Sequence, residues 1–295
     1  MHNLISLVGN TPLVDLSALL PEDSEVKLYG KMEGQNPGGS VKDRAALGMI
    51  SGALERGEIS IDTHLVEATS GNTGIALAMI AAQYGIKITL LMPENSTIER
   101  VKTMRAYGAE VVLTPAEKTI EYSRKLAEEM AASGDYHLLN QFGNDDNWRA
   151  HYRTTGPEIW RDTNEQVTHF VSSMGTTGTI TGTGRYLKSQ SEEVKIVGVQ
   201  PTDGSRIPGI RRWSPEMVPT IFDPSVVDQV IDVSTEEATD IARRLSSKLG
   251  LFAGMSSGGA TAAAIKLAEQ LDEGLIVGIV CDRGDRYLSS DLYDF

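Results

Sequence analysis

The stretch HFVSSMGTTGTITGTGRYLKS (residues 169–189) decides the fold. His169–Ser172 reads as a short strand. Gly178–Ser189 reads as a helix, and the two are joined by Gly175-Thr176-Thr177-Gly178-Thr179. A strand that runs through a glycine-rich turn into a helix is the elementary step of an α/β protein. The same step recurs outward from it. Strands are predicted at Val26–Met32, His64–Ala68, Lys87–Met92, Glu110–Leu113, Lys195–Val199, Val226–Ile231 and Leu275–Val280. Helices are predicted at Val41–Arg56, Thr73–Tyr84, Ile98–Tyr107, Ala116–Ala132, Thr235–Leu249 and Gly259–Leu271. The alternation predicts mostly parallel sheet covered by helices. In such sheets ligands collect where strand carboxyl ends feed helix N-termini.

Three junctions of that kind stand out. Gly175–Thr179 offers backbone amides, hydroxyls and a helix dipole to an anion, but it lacks the lysine of a P-loop and does not fit GxGxxG. Thr69-Ser70-Gly71-Asn72-Thr73-Gly74 repeats the arrangement and suits a carboxylate. Taken alone, each is equally well read as a capped turn. The third, Asn36–Lys42 (NPGGSVK), ends on a lysine. Ser40 and Asp43 form a capping-box pattern there, and a cation in a first helical turn opposes the dipole. That favours a neutral amine, as a Schiff-base lysine requires. By itself, Lys42 reads as an ordinary surface lysine.

Other patterns exclude chemistries. Gly254-Met255-Ser256-Ser257-Gly258 matches the GxSxG elbow, yet every histidine (His2, His64, His137, His151, His169) precedes it, whereas the hydrolase order puts the histidine after the serine. The histidines are scattered and HExxH is absent, so no metal site is expected. The single cysteine, Cys281, excludes an intrachain disulfide and CxxC metal motifs and suits a reducing compartment. It ends a buried strand with no neighbouring base, and Asp282 is expected on the opposite face. A plain buried thiol accounts for it locally.

The chain has 295 residues, 40% apolar and 23% charged, which is ordinary for a globular protein. A formal charge of −13 argues against nucleic acid or anionic membrane as partner. No apolar run is long enough to span a bilayer, and Met1–Leu20 does not read as a signal peptide, so a cytoplasmic protein is expected. The proline-rich, aperiodic Pro201–Pro224 is read as a functional loop.

Together these pieces resemble the pyridoxal-phosphate enzymes of fold type II (tryptophan synthase β-like), and within them the O-acetylserine sulfhydrylases, or cysteine synthases. The resemblance rests on Gly9–Leu13, Asn36–Arg44, Glu67–Gly74, Met92–Glu99, Met104–Glu110, His151–Trp160, Ser173–Thr179 and Ser256–Gly259, in that order along nearly the whole chain. Ile207–Trp213 and Cys281–Tyr287 resemble the B-type isozyme.

The resemblance implies two open, twisted, mostly parallel sheets. It implies a smaller mobile domain over residues 41–145 and a larger cofactor-binding one over 1–40 and 146–295, in a homodimer. The cofactor implied is pyridoxal 5′-phosphate, and the reaction is β-replacement, O-acetylserine and sulfide giving cysteine and acetate. Lys42 would hold the cofactor covalently and shuttle the α-proton. Gly175, Thr176, Thr177, Gly178 and Thr179 would cradle its phosphate, Asn72 would bond its ring hydroxyl, and Cys281 would face the pyridine nitrogen. Thr69, Ser70, Asn72, Thr73 and Gln141 would bind the substrate carboxylate, and Ser256 and Ser257 would lie in the wall near the cofactor. Arg211 and Arg212 are suited to a dianion such as thiosulfate, which would give S-sulfocysteine. Rival activities on the same frame are a serine or threonine dehydratase and a cystathionine β-synthase.

Overall fold

The computed structural model describes residues 3–69 and 71–294. Its strands form two sheets. The larger has six: β1 (Leu13–Asp15), β2 (Glu25–Met32), β10 (Glu273–Val280), β7 (His169–Ser173), β8 (Lys195–Pro201) and β9 (Gln229–Val233), in that spatial order. The smaller has four: β5 (Glu110–Thr114), β4 (Lys87–Pro93), β3 (His64–Ala68) and β6 (His137–Leu138). Every pairing is parallel except β1 with β2. The fold is thus the mostly parallel α/β arrangement that the alternation predicts, divided into the two sheets that the family resemblance implies.

Parallel sheet must be covered on both faces, and it is. One face of the larger sheet packs on α8 (Thr235–Leu249) and α9 (Met255–Ala268) through Leu28, Val199, Leu245 and Ala263. The other packs on α6 (Thr155–Asp162) and α7 (Gly178–Gln190) through Ile159, Phe170, Ile180 and Leu187. The smaller sheet carries α1 (Lys42–Glu55), α2 (Asn72–Tyr84) and α3 (Ile98–Ala106) on one side. On its other side lies α4 (Thr119–Ala132). A further helix, α5 (Asp145–Arg153), precedes α6. Among the described residues no helix is long and apolar enough to cross a membrane.

The period-2 rule places one residue that matters later. Val277 and Ile279 of β10 face the α6–α7 side, and Cys281 continues that row, whereas Ile276 and Val280 face α8 and α9.

The sequence reading departs from the structure in a few elements. The short β1 and β6 and the helices α5 and α6 are additional. The strand expected at Val226–Ile231 lies at 229–233 because Pro224–Val226 turns as a 3-10 helix. The helix expected from Gly259 begins four residues earlier, at Met255.

Candidate active site

The carboxyl ends of β3, β7 and β10 and the N-termini of α1, α2 and α7 converge on one cleft enclosing about 950 Å³, its open mouth included. Lys42, Thr69, Asn72, Thr73, Gln141, Gly175, Thr176, Thr179, Arg211, Ser256 and Cys281 all line it. Thr177, Gly178 and Ser257 are buried directly behind that wall. Ser70 lies outside the described residues.

Lys42 opens α1 and is tied to the larger sheet through its neighbours. The Val41 amide donates to the Cys281 carbonyl at 2.8 Å, and Ser40 bridges to Asp282. The predicted capping box does not form. Ser40 Oγ accepts the Lys42 amide at 3.2 Å, while the Asp43 carboxylate turns back to the Gly38 amide. Two residues on, Arg44 is gripped by two buried carboxylates. It donates from Nε to Glu33 at 2.7 Å and from Nη1 to Glu158 at 2.6 Å, and Lys31 Nζ meets Glu158 at 2.8 Å. This buried knot joins β2, α1 and α6 and fixes the direction of the helix that presents Lys42.

Lys42 Nζ has no hydrogen-bond or ion-pair partner among the described residues. Burial holds the amine below the ordinary lysine range, against the opposing pull of Cys281, Asp282 and Glu33. The helix dipole acts in the same direction as burial.

In the turn before α7, Thr177 adopts a left-handed conformation, φ 71°. Gly178 is obligatory: a Cβ there would lie 2.1 Å from Asn147 Oδ1. The first-turn amides of α7 have no acceptor within the helix, so they are available at the cleft. Two side chains from α5 brace this turn. Asn147 Nδ2 donates to Thr176 Oγ1 at 3.3 Å and to the Gln141 carbonyl at 2.7 Å. His151 joins Thr155 Oγ1 at 2.8 Å to Thr179 Oγ1 at 3.2 Å. Burial pushes its imidazole down to about 3, so it is neutral at pH 7. Sequence reasoning passed over both residues. His151 heads one of the motifs carrying the family resemblance, and that was the available signal.

On the facing wall, Thr69 Oγ1 accepts the amides of Gly71 and Gly74 at 3.1 and 3.0 Å, which shapes the turn into α2. Thr73 donates to Gln141 Oε1 at 2.8 Å. Asn72 contacts Asp282 and Arg286. Cys281 is held by its amide, which donates to Ser257 Oγ at 2.9 Å, and burial pushes its thiol up to about 11. Asp282 does turn away from the cleft, as expected. The sequence did not reveal that it is buried there and accepts hydrogen bonds from Asn72 and Tyr287.

The loop after β8 borders the cleft through Pro208, Gly209 and Arg211. Trp213 Nε1 donates to the Gly175 carbonyl at 2.9 Å, and the Arg211 amide to the Met174 carbonyl at 2.8 Å. The two arginines part company. Arg211 lines the cleft over Trp213, at 5.5 Å, whereas Arg212 points outward to Asp232 at 2.5 Å and Asp203 at 3.3 Å. The expectation that both face a substrate is corrected: adjacent residues of this extended segment project to opposite sides, and the outer one finds carboxylates.

An enclosed amine whose protonation burial disfavours, a helix N-terminus braced by threonines and a neutral thiol at a strand end together fit pyridoxal phosphate. They offer an imine-forming group, anion-binding amides and a small uncharged neighbour for a ring nitrogen. Fold and cleft define a pyridoxal-phosphate enzyme of fold type II, and the chain belongs to that family: residues 4–282 match the pyridoxal-phosphate dependent enzymes. Its relatives narrow the class to the cysteine synthases. It is 55% identical to cysteine synthase B of Escherichia coli K12 over 99% of this chain and 96% of that one. With cysteine synthase B of Pseudomonas aeruginosa it shares 56% over 97% and 96%. The crystal structure of cysteine synthase from Entamoeba histolytica superposes with a TM-score of 0.94 at 36% identity, covering 100% of this chain and 91% of that one.

Proposed function

We propose that this enzyme makes cysteine by β-replacement, exchanging the acetate of O-acetylserine for sulfide and releasing one acetate per cysteine. The observation that carries the reading is Lys42, an enclosed amine without a partner among the described residues, facing a cleft where carboxylate-sized and phosphate-sized donor sets meet. Pyridoxal phosphate, when bound, draws electron density from the substrate's α-carbon, so that the α-proton can leave and the β-acetate can depart.

The chain's own residues supply the rest. Lys42 Nζ, its protonation disfavoured by burial, holds the cofactor and takes the α-proton. Gly175–Thr179 binds the phosphate through first-turn amides and the hydroxyls of Thr176 and Thr179. Asn72 donates to the ring hydroxyl. Thr69, Ser70, Asn72 and Thr73, with Gln141, bind the substrate carboxylate. Cys281 faces the pyridine nitrogen. A thiol with its pKa near 11 stays neutral and cannot keep that nitrogen protonated. Charge at the α-carbon is then poorly delocalised, which favours expulsion of a β-leaving group over transamination or racemisation.

Arg211 carries the reading of the second substrate. A guanidinium in the cleft wall suits thiosulfate as well as sulfide, with S-sulfocysteine as the product. Arg212 has no part in it. We infer further that residues 41–145 move against the remainder as a unit, because the four-stranded sheet is built entirely within them and borders the cleft. A cytoplasmic homodimer completes the reading; the lone cysteine and acidic composition support the compartment.

Stopped-flow absorbance tests the proposal. O-acetylserine should change the spectrum of the bound cofactor and release acetate, and sulfide should restore the spectrum with one cysteine per acetate. Keto acid released regardless of sulfide would identify a dehydratase instead. Product formed only with homocysteine would match the O-acetylserine dependent cystathionine β-synthase of Helicobacter pylori, a structure sharing 36% identity with this chain.

A further inference from the structure

Asn72, the first residue of α2, has its side-chain amide held from both ends. Oδ1 accepts from Arg286 Nη1 at 2.6 Å, and Nδ2 donates to Asp282 Oδ2 at 2.7 Å. A guanidinium can only donate, and a carboxylate that already accepts the Tyr287 hydroxyl at 2.7 Å has no donor to offer. The amide therefore has one permitted orientation. A flip would set Nδ2 against the guanidinium and Oδ1 against the carboxylate. One of the two Nδ2 hydrogens goes to Asp282, and the other has no acceptor among the described residues, on a side chain that lines the cleft.

Arg286 reaches in a second direction. Its Nη2 donates to the Gly38 carbonyl, in the loop that delivers Lys42. Gly39 makes room for it: its φ is 82°, and a Cβ there would lie 2.6 Å from Nη2. Arg286 is 5% exposed and does not itself line the cleft. One guanidinium thus ties the loop carrying the amine to the loop carrying the amide, on facing sides of the same site.

We propose that Arg286 is the positioning residue for the cofactor's ring contact, fixing the Asn72 amide so that its remaining N–H is aimed at the ring hydroxyl. The inference rests on the reading of Asn72 as that donor. A double-mutant cycle on cofactor affinity tests it, titrating apoenzyme with pyridoxal phosphate and recording the absorbance band of the bound form. Arg286→Met should weaken binding about tenfold, a coupling typical of residues in one hydrogen-bond network, and shift the band. In an Asn72→Ala background it should cost less than about twofold. Arg286→Lys, which keeps the charge and one donor, should recover part of the affinity, and it replaces Arg286→Met in the cycle if that variant fails to fold.

An equal cost in both backgrounds would overturn the inference, since Arg286 would then act independently of Asn72. So would wild-type affinity and spectrum in Arg286→Met. If Asn72→Ala alone leaves binding unchanged, the ring contact itself is wrong and the inference falls with it. An Asn72 effect that Arg286 does not share overturns the inference alone.

Discussion

The Val41 amide donates to the Cys281 carbonyl at 2.8 Å, so the residue before the cleft lysine is bonded to the residue whose thiol lines the same cleft. Chain segments far apart in sequence are thereby joined backbone to backbone beside the cleft lysine. Ser40 and Asp282 extend the same contact by one residue on each side. The start of α1 is consequently part of the larger sheet's edge, even though the helix itself packs on the smaller sheet.

Lys42→Ala should lower kcat/KM by about a thousandfold or more, because the variant lacks the group proposed to move the α-proton. Its thermal midpoint should be equal to or above that of the wild type in the absence of cofactor, since an enclosed amine that finds no partner among the described residues costs stability. Differential scanning calorimetry beside steady-state kinetics separates the two effects.

Arg44→Met should destabilise the fold by about 3–5 kcal/mol, the cost of leaving a buried carboxylate unpaired. Two carboxylates, Glu33 and Glu158, lose their guanidinium partner in that variant. Urea unfolding followed by circular dichroism measures it. A loss under about 1 kcal/mol would mean that the knot is no stronger than a surface pair.

The pH dependence of stability has two opposed components. Burial raises Asp43 to about 7, and Glu67 likewise to about 7. Between roughly pH 4 and 7 the folded chain holds protons there that the unfolded chain has lost, so these groups erode stability as pH rises through that window. His151 acts the other way. Lowered to about 3, it binds fewer protons folded than unfolded from about pH 3 to 6.5, so its contribution is lost as pH falls through that range. Asp43→Asn should therefore flatten the fall in stability towards pH 7. Unfolding midpoints measured across pH 4–8 for the variant and wild type would reveal a parallel curve if the assignment is wrong.

Arg211→Ala should raise KM for thiosulfate about tenfold or more, the loss expected for one charge-assisted contact, while sulfide kinetics change little. Arg212→Ala should leave both donors unaffected and cost under about 1 kcal/mol of stability, as exposed ion pairs do. Equal losses with sulfide and thiosulfate in Arg211→Ala would end its proposed role.

Much of this architecture was legible in sequence. The apolar runs of β3, β4, β7 and β10 alternate with helices of clear period, and each glycine-rich junction falls at a strand's carboxyl end. α5 and α6 were not legible, because much of what they bury is polar: Asp146 sits in ion pairs, and Asn147, His151 and Glu158 in hydrogen bonds. Gly156-Pro157 added the look of a break. Met255–Gly258 reads as loop from its Ser and Gly content, yet it is the first turn of a tightly packed helix.

In the site, Lys42, the Gly175–Thr179 turn and Cys281 could be singled out from local pattern. The braces behind them could not. Asn72 meets Arg286 and Asp282 across more than two hundred residues, and no spacing rule encodes that contact. Arg211 and Arg212 show the same limit: two identical neighbours part ways on a backbone direction that sequence does not reveal.

The central claim is a covalent one, an imine between Lys42 and the cofactor's aldehyde. Borohydride reduction of the enzyme purified with pyridoxal phosphate, followed by peptide mapping, tests it most directly. The account predicts a single pyridoxyl adduct, on the peptide containing Lys42. An adduct on any other lysine, or none, would contradict it.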